Sequence, residues 1–229
     1  LPGTAGVGLH AIEELRRRCE PGDRALLLYP QGVDFIDAIF ACFLCRVIAV
    51  PAYLPGAAQS QSRHTAILYA IASSAKPKVV LTTASASEGL YAVLGRDPRT
   101  AALPFMATDQ LTEPRGAPAE PVPQPSLDVA ELPEPSDPAV LIYTSGSTGD
   151  PKGVVVQHRN LTANTALITH KLHTGPDTPW VSWLPLFHDL GLVVVLFGAL
   201  HCGAPCYLME PSRFIEKPVR WLRAISRFG

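Results

Sequence analysis

The chain has 229 residues, 47% of them hydrophobic and 17% charged; this excludes a disordered chain and gives length for one large domain or two small ones. Nineteen Lys and Arg against twenty Asp and Glu leave a net charge of −1, which removes the electrostatic case for a nucleic-acid binder or a surface held on anionic lipid. The longest strongly apolar run, residues 190–200, is about half of the roughly 20 residues a membrane-spanning helix needs, so no membrane span is expected.

In chain order, Leu9, Ile12 and Leu15 have the spacing of a helix that ends near Pro21 and Gly22. A strand is predicted at residues 24–29, a helix at 33–45 and a second strand at 47–50, which Pro51 should stop. Ile67, Leu68 and Ile71 give helical spacing to residues 62–75, and residues 78–83 read as the next strand. Short β-branched runs alternating with helical patterns predict an α/β fold with largely parallel sheets.

Five cysteines is an odd count, and Cys42, Cys45, Cys202 and Cys206 sit in apolar surroundings. Together with a start in which no basic segment leads into an apolar one, this predicts a reduced, cytoplasmic protein with buried thiols. Cys42-x-x-Cys45 has zinc or redox spacing, yet no second Cys/His pair stands at ligand distance in sequence, so core packing is expected.

Ten of the 23 prolines fall within residues 98–138. The core of that stretch, 112–138, reads as a solvated connector between a first α/β part, 1–111, and a second, 139–229. The opening Leu1, in place of Met, and a closing run at 219–225 that still reads as helix lead us to expect a piece of a longer chain.

A strand predicted at 139–143 runs directly into Thr144, Ser145, Gly146, Ser147, Thr148 and Gly149, then Asp150, Pro151, Lys152 and Gly153, and a second apolar run at 154–156 follows. Two glycines free to take positive φ, a line of hydroxyls and successive backbone N–H groups make an anion-binding nest, with Lys152 as a point charge beside it. It is not the standard P-loop, in which Lys directly follows the second Gly. A Ser/Gly-rich loop alone is usually a flexible turn; the strand on each side and the fixed Pro-Lys-Gly are what turn it into a phosphate cradle.

The second group of candidates lies in residues 180–192, a strand, a turn at Pro185 and an apolar helix starting near His188 or Asp189. Asp189 is placed to cap that helix. Ser182, His188 and Asp189 do not make a hydrolase triad, because adjacent His and Asp side chains do not readily align. His170 and His173, near the end of a predicted helix, read as solvated and not as metal ligands.

With these residues in view, the chain resembles the adenylate-forming superfamily, which includes acyl-CoA synthetases, nonribosomal-peptide adenylation domains and luciferases. YTSGSTGDPKG, residues 143–153, matches its phosphate loop without a break. More narrowly, VSWLPLFHDLGLV, LLLYPQGVDFIDAIFACFLCRVIAVPAYLP and RFIEKPVRWLRAISRFG are similar to the fatty acyl-AMP ligases. The resemblance covers nearly the whole chain and thins in the connector. Cys45-Arg46, Leu54, Phe187 and Leu190 depart from the usual pattern and bear on substrate detail.

The resemblance implies the amino-terminal part of an adenylate-forming domain and an acid-thiol ligase chemistry. A fatty acid carboxylate attacks the α-phosphorus of ATP, and the acyl group then passes to the phosphopantetheine arm of an acyl carrier protein. It assigns Thr144, Ser145, Gly146, Ser147, Thr148, Gly149 and Lys152 to ATP, with Thr144 also a candidate Mg²⁺ contact. His188 and Lys152 become the catalytic candidates, and Trp183, Phe187, Gly191 and Leu192 the wall of an acyl site. Two alternatives stand beside it: a long-chain acyl-CoA synthetase, with CoA as acceptor, and a non-catalytic module that retains the fold. Residues 1–229 alone are expected to be inactive and to associate through uncovered apolar surface.

Overall fold

A computed structural model describes residues 4–55, 63–111, 132–145 and 151–229, and the chain divides into two compact units, Leu1–Val155 and Val156–Gly229. In chain order the first contains helix α1 (Thr4–Arg18), strand β1 (Arg24–Leu27), α2 (Val33–Leu44), β2 (Ile48–Pro51), α3 (Arg63–Ala75), β3 (Val79–Thr82), α4 (Ala84–Leu94), β4 (Phe105–Ala107) and β5 (Pro138–Ser145), with β6 (Pro151–Gln157) at its boundary. These strands form one six-stranded sheet in the order β4-β3-β1-β2-β5-β6. The pairs β1–β2, β1–β3, β2–β5 and β3–β4 are parallel.

Sheets of this kind are covered on both faces, which is why β1, β2 and β3 read as continuous apolar runs without polar alternation. Leu26, Val50 and Val80 are fully buried and pack with Leu68 and Ile71 of α3 and Leu90 and Leu94 of α4. The buried hydroxyls have acceptors: Thr82 donates to the Leu28 carbonyl at 2.7 Å, and Tyr29 and Thr108 share a bond of 2.9 Å.

Pro51 belongs to β2 instead of stopping it, in register with Leu27. The missing N–H costs nothing at that point, because the next ladder bond comes from the amide of Ala52, which donates to the Leu27 carbonyl at 3.1 Å. Arg46, where the resembled family carries a small residue, takes a left-handed φ of 55°. Its guanidinium meets the Asp137 carboxylate at 3.0 Å, joining the α2–β2 corner to the residue before β5. Of the expected connector, 112–131 lies outside the described residues, and 138 already belongs to β5.

The second unit contains α5 (His158–Leu172), β7 (Trp180–Ser182), a π-helical segment (Leu190–Leu196), α6 (Phe197–Cys202), β8 (Cys206–Leu208), α7 (Pro211–Glu216) and α8 (Val219–Phe228). β7 and β8 pair in parallel, Trp180 opposite Cys206 and Ser182 opposite Leu208. The helix expected at His188 or Asp189 begins at Asp189, and from Leu190 to Leu196 it is wound as a π-helix. Gly191 and the β-branched Val193, Val194 and Val195 are weak α-formers, which lowers the cost of the wider winding. Among the described residues no helix is long and apolar enough to cross a membrane.

All five cysteines are free; Cys19, Cys42 and Cys45 are buried, whereas Cys202 and Cys206 are only partly so. The expectation of buried thiols therefore holds for the pair in α2 and its C-cap, and Cys19 joins them. Burial pushes the Cys45 thiol up to about 11 and raises that of Cys42 well above its ordinary range. Among the described residues no group of three His, Cys, Asp or Glu side chains is placed to hold a metal ion.

Candidate active site

β5 and β6 are neighbours at the end of the sheet. A parallel connection needs a dozen or more residues, so with five residues between them the two strands run antiparallel. The frame expected around the phosphate loop is thus present: one strand delivers residues into the loop and the next carries them out. Thr144, the penultimate residue of β5, is exposed; Ser145 ends that strand; and Lys152, second residue of β6, is exposed with no ion pair among the described residues. Gly146, Ser147, Thr148 and Gly149 lie outside the described residues.

Two contacts brace the frame. The Tyr143 hydroxyl donates to Ser74 Oγ of α3 at 2.9 Å. Its ring lies across Gly153, where a Cβ would stand 3.0 Å from Tyr143 Cζ and 3.1 Å from Leu141 Cδ1. The last glycine of the motif is therefore held by β5–β6 packing, a reason that phosphate chemistry alone does not supply.

The remaining candidates belong to the second unit. His188 follows β7 and the Pro185 turn, with its side chain 56% exposed and Nδ1 2.5 Å from Asp189 Oδ1. Asp189 Oδ1 also accepts from the Leu190 amide at 2.8 Å, so the residue caps the π-helix as expected. The two neighbours meet at this distance although adjacent His and Asp do not readily align, and they form no triad with Ser182. Asp189 already has helical dihedrals, φ −53° and ψ −43°, and this tight turn gathers both side chains around one amide. The Leu190 amide also donates to His188 Nδ1 at 3.3 Å, so Nδ1 is taken up within the turn and Nε2 is the ring nitrogen left to meet a substrate. Ser182 takes no part: it is buried, and its Oγ accepts from the Leu184 amide at 3.0 Å.

Trp183 is partly buried and stacks on Phe214 of α7, ring centroids 3.9 Å apart and planes within 2°. Phe214 in turn meets Trp221 of α8 edge-on at 6.1 Å, and Trp221 Nε1 donates to the Val181 carbonyl of β7 at 2.9 Å. Sequence reading missed this three-ring chain, because nothing in the spacing of 183, 214 and 221 brings them together. Phe187 is partly buried, Gly191 is buried, and Leu192 is fully buried.

Two clefts lie apart from these residues. One of about 620 Å³ opens beyond β1 and β2, lined by Pro30, Leu54, Pro55, Ser85, Glu88 and Gly89. The other, about 470 Å³, is lined in part by His170, His173, His201 and Cys202. His170 and His173 are exposed, as expected.

β5 and β6 frame the 143–153 motif at the end of a largely parallel α/β sheet, and the AMP-binding enzyme family matches residues 14–229. The chain belongs to that family. Its relatives include JamA of Moorena producens, a medium-chain-fatty-acid–[acyl-carrier-protein] ligase, 36% identical over 94% of this chain and 35% of JamA. FadD21 of Mycobacterium tuberculosis, provisionally named a fatty-acid–CoA ligase, is 35% identical over 93% of this chain and 36% of its own. A fatty acyl-adenylate ligase of Legionella pneumophila, solved with acyl adenylate and pyrophosphate, superposes with a TM-score of 0.77 at 30% identity, covering 97% of this chain and 36% of that one. The chain thus spans little more than a third of the length of the relatives it matches.

The donor set fits ATP at the phosphate end: an exposed hydroxyl at Thr144 and an exposed cation at Lys152 flank residues 146–150. For Mg²⁺ the fit is that of an ion held mostly by phosphate oxygens and water, since Mg²⁺ takes few protein ligands and Thr144 would supply one.

Proposed function

We propose that the protein activates a fatty acid with ATP and passes the acyl group to the phosphopantetheine thiol of an acyl carrier protein. The observation that carries this reading is the unbroken 143–153 motif seated between neighbouring strands, with Thr144 and Lys152 exposed on either side of the loop. Relatives named as ligases to AMP or to carrier protein, JamA and the FadD23 long-chain-fatty-acid–AMP ligase among them, support the substrate class and the acceptor.

In the proposed reaction a carboxylate oxygen attacks the α-phosphorus, the new C–O–P bond forms, and the α–β bridging bond breaks with its electrons leaving on pyrophosphate. A carboxylate is a weak nucleophile meeting a polyanion, so catalysis rests on alignment and on neutralising charge. Ser145 to Gly149 and Lys152 hold the β- and γ-phosphates. Thr144 takes a phosphate oxygen or the Mg²⁺ ion, which when bound supplies positive charge to the leaving pyrophosphate. His188, oriented through Nδ1 by Asp189, presents Nε2 to the carboxylate and the α-phosphoryl oxygens. Trp183 and Phe187, with Leu192, form the wall beside the acyl chain. A reduced cytoplasmic setting agrees with five free thiols.

A second reading, transfer to CoA, has one support: the provisional name of FadD21. Acceptor competition separates the two. The intact protein, given ATP, fatty acid, holo acyl carrier protein and CoA together, should load the carrier protein and leave CoA unacylated; acyl-CoA as the main product would replace the first reading with the second.

A further inference from the structure

Gly191 lies in the first turn of the π-helix, directly beneath the turn that carries His188. A Cβ built on it would stand 2.0 Å from the Pro185 carbonyl oxygen, 2.7 Å from the carbonyl carbon and 3.1 Å from the Leu184 oxygen. These are backbone atoms, which cannot rotate away as a side chain would. The carbonyl so close to Gly191 is also the one that accepts from the His188 amide at 3.1 Å, and the His188 carbonyl accepts from the Leu192 amide at 2.8 Å. On its other side the turn is tied by the bond of 3.0 Å from the Leu184 amide to Ser182 Oγ. His188 is thus suspended from a carbonyl whose seat exists only because residue 191 has no side chain.

We propose that Gly191 is a positioning residue for adenylation, acting through His188 by letting the Pro185 carbonyl seat against the π-helix, and not through contact with the acyl chain. The proposal rests on the functional reading above, in which His188 orients the reacting groups. Any side chain at 191 must move the Pro185 carbonyl oxygen from 2.0 Å out to an ordinary contact of 3.4 Å or more, a shift of at least about 1.4 Å, and His188 moves with it. Misplacement by about 1 Å can lower a rate by roughly 10²-fold.

The test is a double-mutant cycle in the intact protein. Gly191→Ala should lower kcat for fatty acyl-adenylate formation by up to about 10²-fold while leaving the KM for fatty acid and the order of preference among chain lengths unchanged. Combined with His188→Ala it should add nothing further, because both changes remove one contribution. Gly198→Ala is the control for general packing damage: its Cβ would stand 2.7 Å from the Trp180 ring, away from the His188 turn, and its effect should multiply with that of His188→Ala. If Gly191→Ala does not fold, Ser182→Ala loosens the same turn from its other end. It should lower kcat by a smaller factor, and again not beyond His188→Ala. A multiplying effect of Gly191→Ala, or a change in chain-length preference at unaltered kcat, overturns the proposal and returns Gly191 to the acyl wall. If His188→Ala itself is as active as the parent protein, the functional reading of His188 fails, and the role of Gly191 fails with it.

Discussion

Lys152 is the most exposed commitment at the scale of single residues. It is exposed, with no ion pair among the described residues, and Lys152→Ala should remove one charge-assisted contact to the phosphates, worth about 1.5–3 kcal/mol. Pyrophosphate exchange should slow by roughly tenfold to a hundredfold, and an unchanged rate would show that the lysine faces solvent for no catalytic reason. His188→Ala should lower adenylate formation by roughly 10²–10³ with an unchanged melting temperature, since the ring is more than half exposed and its packing contributes little. A melting temperature several degrees lower with normal turnover of the folded fraction would make His188 structural. The thiols give a pH-dependent test. Only the thiolate reacts, and with Cys45 at about 11 roughly one molecule in a thousand carries it at pH 8. Cys42 and Cys45 should therefore resist alkylation at that pH until the protein is unfolded, as read by peptide mapping; rapid labelling of the native protein would contradict their burial. What sequence reveals at this scale is local chemistry: hydroxyls and glycines ending in Pro-Lys-Gly point to phosphate only with an apolar strand on each side. The pairing of His188 with Asp189 was not legible, because it depends on the dihedrals of one turn.

Among the elements, β1, β2 and β3 were legible because strands buried on both faces must be apolar throughout. α4 and β4 were not. ASASEGLYAVL is rich in small residues with a weak apolar stripe, and three residues of β4 after a proline carry too little pattern to register. The π winding was not legible, because the apolar run LGLVVVL over seven residues carries no spacing that separates a π-helix from an α-helix. The link between α8 and β7 is a tertiary fact of the same kind. Trp221→Phe keeps a ring against Phe214 but removes the N–H that reaches the Val181 carbonyl. That should lower stability by about 1 kcal/mol in denaturant unfolding, and it should leave Trp183 stacked. A loss above about 3 kcal/mol would mean that the ring itself, more than its hydrogen bond, fixes α8.

At the scale of the molecule, Thr144 and Lys152 belong to Leu1–Val155 and His188 to Val156–Gly229. Residues 1–229 correspond to about a third of relatives such as JamA. On their own they should form no acyl adenylate, because a phosphate cradle by itself supplies little binding energy and incomplete alignment. Exposed Leu222, Ile225 and Phe228 on α8 should make the isolated piece self-associate in sedimentation. Catalytic turnover by a monodisperse 1–229 piece would contradict this. The central claim, fatty-acid activation, is tested most directly by exchange of radiolabelled pyrophosphate into ATP with the intact protein. Exchange should appear only when a fatty acid is added and fall sharply in Lys152→Ala; no exchange with fatty acids of any chain length would contradict fatty-acid activation.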